Sequence, residues 1–152
     1  MLNAVQTAPP TTTIAEIFER DHRGLDGLLG DAERSLEAGQ RARAAVIFSR
    51  FREGLERHIV AEEEVLFPAF EELTGITRGP TEVMRAEHTE IRRLLREARA
   101  GLERAEAAVP LAALTSLLVA HNRKEEGILY PMLDRVAREA GTLETLVERV
   151  AL

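Results

Sequence analysis

Four stretches of the chain carry apolar residues at intervals of three and four, and a histidine interrupts each stripe where the pattern calls for another apolar side chain. In the first, Ile14, Phe18, Leu25, Leu29, Ala32 and Leu36 mark one helix face, with His22 between Phe18 and Leu25. Thr13-Ile14-Ala15-Glu16 reads as a capping box at its start, and Gly39 as its stop. The second stretch, from about residue 41 to 73, has the stripe Ile47, Phe51, Leu55, His58, Glu62, Val65 and Ala69. Residues 74–80 are turn-rich, and Pro80 suits the first turn of a third helix with the stripe Met84, His88, Ile91, Leu95, Ala98 and Leu102. Pro110 opens a fourth, whose stripe is Leu114, Leu118, His121, Glu125, Ile128 and Met132, before a stop at Gly141. Pro68 and Pro131 are expected to kink the second and fourth helices.

The two halves repeat. Phe18-x-x-Asp21-His22-x-x-Leu25-x-x-Leu28-Leu29 matches Met84-x-x-Glu87-His88-x-x-Ile91-x-x-Leu94-Leu95 at an offset of 66 residues. More sharply, His58-x-x-x-Glu62-Glu63-x-Val65-Leu66-Phe67-Pro68 recurs as His121-x-x-x-Glu125-Glu126-x-Ile128-Leu129-Tyr130-Pro131 at an offset of 63. Each half is a helical hairpin. The expected fold is therefore all-α: an up-down-up-down antiparallel four-helix bundle over residues 14–141, after a flexible arm at 1–13 and before an extension at 142–152 with room for a short helix.

Composition narrows the chemistry. Aromatic residues are only 4% of the chain, which favours helices over strands. The net charge is -6, and Lys124 is the only lysine, so a broad basic surface for nucleic acid is not expected. Without cysteine, any metal must be held by imidazole and carboxylate. No stretch approaches the ~18 apolar residues of a membrane span, and the first 13 residues lack the pattern of a leader; a cytoplasmic protein is expected.

The polar members of the stripes converge. In antiparallel hairpins, residues equally distant from a connection lie at one height, and His22 and His58 are 17 and 19 residues from Gly39. His88 and His121 stand similarly about the loop near Ala107, and Glu62 and His88 about residues 75–79. His-x-x-x-Glu sets both side chains on one helix face about 6 Å apart along the axis, so an imidazole can bind one metal while the carboxylate reaches a second. Burying these six groups without compensation would cost several kcal/mol per charge, against a domain stability of ~5–15 kcal/mol. A bound dication supplies the compensation. The candidate ligands are thus His22, His58, Glu62, His88, His121 and Glu125.

Other charged and aromatic neighbours read differently. Glu63, Glu64 and Glu126 fall off the stripe and are expected on a solvated face, while Phe67 and Tyr130 are expected to pack beside the site, with donation of a hydrogen bond by the Tyr130 hydroxyl the alternative. Asp26 and Arg92, each four residues after a site histidine, are expected to pair, with Asp26 as a seventh ligand the alternative.

Asp21-His22, the two His-x-x-x-Glu segments with their trailing prolines, and Glu87-His88 resemble the hemerythrin family, specifically bacterial HHE cation-binding domains, over nearly the whole chain. The resemblance implies an oxo- or hydroxo-bridged pair of iron ions that binds or senses dioxygen or handles related oxidants or iron. His22 and His58 would hold one ion, His88 and His121 the other, and Glu62 and Glu125 would bridge. Manganese or zinc suits the same ligands.

Two features depart from the oxygen carriers of that family: Arg92 stands where they have a second histidine on the third helix, and the fourth-helix carboxylate follows its histidine by four residues rather than five. Counting donors then leaves each ion one short of six, which points to peroxide-decomposing, catalase-like reactivity over reversible carriage. The expected small partners are a diatomic gas or peroxide. An iron-storage or nitric-oxide-responsive role is the alternative. A ferritin-like oxidase would show Glu-x-x-His on two helices, whereas only Glu19-x-x-His22 fits; a zinc hydrolase would show His-Glu-x-x-His, which is absent.

Overall fold

The structure, a computed structural model, describes residues 12–105, 108–150 and 152. Most of the expected N-terminal arm, and the centre of the loop near Ala107, lie outside the described residues. Helices α1 (Ile14–Glu37), α2 (Arg41–Ala61), α3 (Phe67–Thr74), α4 (Pro80–Glu103), α5 (Leu111–Lys124), α6 (Tyr130–Glu139) and α7 (Leu143–Arg149) follow in order. No strand occurs among the described residues, and no helix among them is long and apolar enough to cross a membrane.

Short π-helical turns join α2 to α3 (Glu62–Leu66) and α5 to α6 (Glu125–Leu129). The residues flanking both turns are right-handed helical, so each pair of helices with its π-turn is one continuous rod. Phe67 N–H donates to the Glu62 carbonyl and Tyr130 N–H to that of Glu125, the wide ring that defines a π-turn. Each turn ends two residues before a proline, Pro68 or Pro131, which has no N–H to complete an α-helical turn. The expected distortion therefore takes this form.

One extra residue per π-turn rotates everything beyond it, and this corrects part of the reading from spacing. After Glu62 the buried positions are Leu66, Phe67 and Phe70, not Val65 and Ala69. After Glu125 they are Leu129, Tyr130 and Leu133, while Ile128 is 57% exposed. A period of 3.6 cannot register the insertion. Elsewhere the stripes match over most of their length: Ile14, Phe18, His22, Leu25, Leu29 and Ala32 are buried on α1, Phe51, Leu55 and His58 on α2, and Met84, His88, Ile91, Leu95, Ala98 and Leu102 on α4. The exceptions are Leu36 and Ile47, which are only partly buried while their neighbours Ser35 and Phe48 are buried.

Contacts run from α1 to α2, from α2 to α4, and from α4 to α5, while α1 also meets α5 and α6. The buried apolar residues divide into two clusters. One gathers Leu25, Phe48, Leu55, Leu95 and Leu118; the other gathers Phe18, Phe67, Phe70, Leu129 and Leu133 and is extended by Leu143 and Leu146 of α7. The buried polar residues His22, His58, Glu62, His88, His121 and Glu125 belong to neither cluster.

The start of α1 is held twice. Its capping box is present, with Glu16 N–H donating to Thr13 Oγ1 and Thr13 N–H to Glu16 Oε2. From α6, the buried Asp134 accepts the next two orphan amides, Ile14 N–H at 2.8 Å and Ala15 N–H at 3.1 Å. Asp134 fixes α1 axially against α6, in the sense that brings His22 level with Glu125. Asp134→Ala is expected to cost about 1–3 kcal/mol, read as a melting temperature lower by several degrees in thermal unfolding followed by circular dichroism. The conservative Asp134→Asn change should lose part of that.

Candidate metal centre

All six stripe residues are nearly inaccessible: Glu62, His88 and Glu125 at 0%, His58 at 1%, His22 and His121 at 3%. The imidazoles stand in facing pairs. His22 Nε2 lies 3.0 Å from His58 Nε2, and His88 Nε2 lies 3.2 Å from His121 Nε2. The glutamates span both pairs. Glu62 turns Oε1 to His58 Nε2 at 3.6 Å and Oε2 to His88 Nε2 at 3.2 Å. Glu125 turns Oε2 to His22 Nε2 at 3.3 Å and Oε1 to His121 Nε2 at 2.9 Å.

Every other imidazole nitrogen is already engaged. His58 Nδ1–H donates to Asp21 at 2.8 Å, His88 Nδ1–H to Glu63 at 2.9 Å, His121 Nδ1–H to Glu87 at 2.8 Å and His22 Nδ1–H to Glu126 at 2.7 Å. The four contacts close a ring: the residue beside each rod's own inward group supports the imidazole of the next rod. A carboxylate on Nδ1–H fixes the orientation, so at each of the four rings Nε2 is the nitrogen left to take up a proton or a metal ion. Two lone pairs facing at 3.0 Å repel unless a proton or a metal ion lies between them.

A dication suits this geometry. Two cis donors at about 2.1 Å from one ion are about 3 Å apart, close to the spacing in both imidazole pairs. Glu62 Oε2 and Glu125 Oε1 are buried with no hydrogen-bond partner, and each points at an imidazole lone pair. Orphaned buried carboxylate oxygens are costly and call for a cation. Donor atoms of Glu62, His88, His121 and Glu125 fall within 4.8 Å of one another, as do those of His22, His58 and Glu125. Glu125 is common to both groups.

Charge on the apoprotein responds accordingly. Burial opposes protonation of His58, but the Glu62 carboxylate and the bond to Asp21 outweigh it and push His58 up to about 10. His121 is raised against burial by Glu125 and Glu87. Glu62, despite complete burial, is held well below the usual carboxylate range by His58 and His88.

Aromatic rings close the site on one side. Phe18 meets His58 edge-on at 4.9 Å, and Phe67 stacks on His88 at 5.6 Å. Phe67 thus packs as expected, and Tyr130 takes the alternative role of hydrogen-bond donor. Its hydroxyl donates to Glu62 at 2.5 Å, with Glu125 at 3.0 Å, and sits 3.4–3.5 Å from His58 and His22 Nε2. Burial, then Glu62 and Glu125, hold the phenol far above its ordinary range, so it keeps its proton.

Two further expectations are corrected. Asp26 and Arg92 do not pair: Arg92 Nη1 donates to Glu63 at 3.0 Å, and its Nε and Nη2 donate to Glu56. Asp26 is exposed and falls in neither candidate metal group. Of the glutamates assigned to a solvated face, Glu64 is exposed, but Glu63 and Glu126 support histidines. Both lie in π-turns, where successive residues rotate less about the axis than in an α-helix, so they stay nearer the interior. A carboxylate adjacent to an inward group on all four rods, Asp21, Glu63, Glu87 and Glu126, was the available signal.

The family described as Hemerythrin HHE cation binding domain matches residues 13–133. No curated protein and no solved structure matches the chain significantly.

The protonation of His58 gives a testable sign. Raised from about 6.5 when unfolded to about 10 when folded, it stabilises the apoprotein fully below pH 6.5, and that stabilisation is lost as pH rises through 10. A metal ion takes the same Nε2 lone pair and binds more strongly as protons become scarce. Both effects widen the gap between metal-loaded and metal-free protein. The rise in melting temperature on adding Mn(II) to chelator-treated protein should therefore be larger at pH 8 than at pH 6.

Proposed function

This chain belongs to the hemerythrin HHE cation-binding domain family, and from that premise we propose that it is a non-haem di-iron protein that binds or senses dioxygen or a related oxidant. The observation that carries this reading is the set of four inward imidazole lone pairs facing two buried carboxylate oxygens that lack hydrogen bonds. In this reading His22 and His58 hold one ion, His88 and His121 the other, and Glu62 and Glu125 bridge, in an up-down-up-down four-helix bundle. The contacts of α1 with α2, α2 with α4, and α4 with α5 support that topology.

When bound, the ion pair supplies electrons and affinity for small oxidants that no side chain here can offer. The protein's part is positional. Asp21, Glu63, Glu87 and Glu126 hold the imidazoles in the ligating tautomer. Phe18 and Phe67 keep bulk water from the imidazole faces, and the Tyr130 hydroxyl offers one proton donor beside Glu62 and Glu125. Because Arg92 is committed to Glu56 and Glu63, its guanidinium is not free to attract anionic oxidants. The proposal of peroxide-decomposing activity therefore rests on the donor count alone: two imidazoles and two shared carboxylates leave each ion coordinatively open.

Protein purified without chelators should contain close to two irons per chain. His58→Ala and Glu62→Ala should lower both iron content and melting temperature, since metal binding stabilises only the folded state. Full iron loading in His58→Ala would overturn the ligand assignment. For reactivity, the reduced protein is exposed to dioxygen, purged with inert gas and re-examined by absorption. Rapid irreversible oxidation with hydrogen peroxide consumption above that of free iron is expected. Recovery of the reduced form through several cycles would instead mark a carrier.

A further inference from the structure

The inward donors are nearly symmetric between the halves, but the ring of carboxylates around them is not. On the side of His88 and His121, each supporting carboxylate meets a cation. Glu63 accepts from Arg92 Nη1 at both oxygens, at 3.0 and 3.1 Å, and Glu87 pairs with Lys124 while its other oxygen accepts from His121. On the other side, Asp21 supports His58 and Glu126 supports His22, and no Arg or Lys forms an ion pair with either among the described residues. Asp26, also without a cationic partner there, lies close enough for its charge to interact with His22 and Glu126.

The physical consequence follows from polarisation and from charge. A carboxylate accepting Nδ1–H makes Nε2 a stronger donor. A guanidinium or ammonium on that carboxylate draws its electron density away, and its own positive charge opposes a nearby dication. His58 and His22 therefore rest on two carboxylates, Asp21 and Glu126, with no cation paired to either among the described residues, and His22 also feels the charge of Asp26. His88 and His121 look onto two carboxylates that each pair with a cation, Lys124 on Glu87 and, on Glu63, Arg92, which it shares with Glu56.

We propose that the two metal positions are inequivalent: the His22/His58 position takes the first ion and holds it more tightly, because no Arg or Lys among the described residues pairs with Asp21, Glu126 or Asp26 while Arg92 and Lys124 pair with Glu63 and Glu87. This rests on the two-metal reading above. It assigns Asp21 and Glu126 as positioning residues that set loading order, and Arg92 and Lys124 as the residues that weaken the second position.

The chain has only four histidines, so imidazole nitrogen resonances report both positions separately. Diamagnetic Zn(II) is titrated into chelator-treated full-length protein in half-equivalent steps, with calorimetry in parallel. The Nε2 signals of His22 and His58 should shift during the first equivalent and those of His88 and His121 during the second. Asp21→Asn with Glu126→Gln should weaken the first equivalent about 10- to 100-fold and make the four signals move together. Arg92→Gln with Lys124→Gln should instead tighten the second equivalent toward the first. Tyr130→Phe should leave the order unchanged, although its hydroxyl adjoins His22 and His58. Two bound zinc ions with all four signals moving together in the unmodified protein would overturn the proposal and leave the two-metal reading intact. So would an order that survives the Asp21/Glu126 change but is lost in Tyr130→Phe. Fewer than two zinc ions per chain, with no imidazole signal shifting, would overturn both.

Discussion

The structure depends on one electrostatic constraint: four imidazoles are buried with their Nδ1 protons committed outward to carboxylates, so four Nε2 lone pairs converge in the interior. Without a positive charge among them this arrangement would oppose folding. Glu62 and Glu125, buried with one unpaired oxygen each, add to the demand. Stability and function are therefore joined in one place. Protons can satisfy the site in part, as the elevation of His58 shows, but a cation that reaches both imidazoles of a facing pair satisfies it more fully.

The π-turns are the backbone's answer to placing these donors. An α-helix carrying His-x-x-x-Glu presents both groups on one face, but the neighbouring carboxylate one residue on would normally rotate away. Widening the turn at Glu62 and at Glu125 retains Glu63 and Glu126 near the interior, where they reach His88 and His22. The same widening brings Phe67 and Tyr130 inward, the first to stack on an imidazole and the second to place a hydroxyl between the two glutamates. Internal duplication applies the device twice, and the Phe67/Tyr130 difference is one place where the halves diverge chemically.

Much of this was legible in the chain because the apolar spacing and the polar residues that interrupt it are separate signals. The spacing of three and four identified the helices, and the histidines stood out as polar residues in apolar stripes; all six candidate ligands are buried together. Spacing failed beyond Glu62 and Glu125, where a single inserted residue moved burial from Val65 to Leu66 and from Ile128 to Leu129. It also failed for contacts between rods. The ring of Asp21, Glu63, Glu87 and Glu126 depends on how neighbouring helices are rotated, and the commitment of Arg92 to Glu56 and Glu63 depends on competition among several carboxylates. Asp134 was invisible for the same reason, since its partners lie 119 and 120 residues away.

A bundle organised around inward lone pairs must show its cations where those lone pairs meet. The most direct measurement is anomalous diffraction at the iron edge from crystals of the iron-loaded protein. Two peaks are predicted, one between His22 and His58 and one between His88 and His121, with Glu62 and Glu125 reaching toward both. Iron found only among exposed carboxylates, or a dry centre with the imidazoles turned to hydrogen-bond one another, would contradict the account.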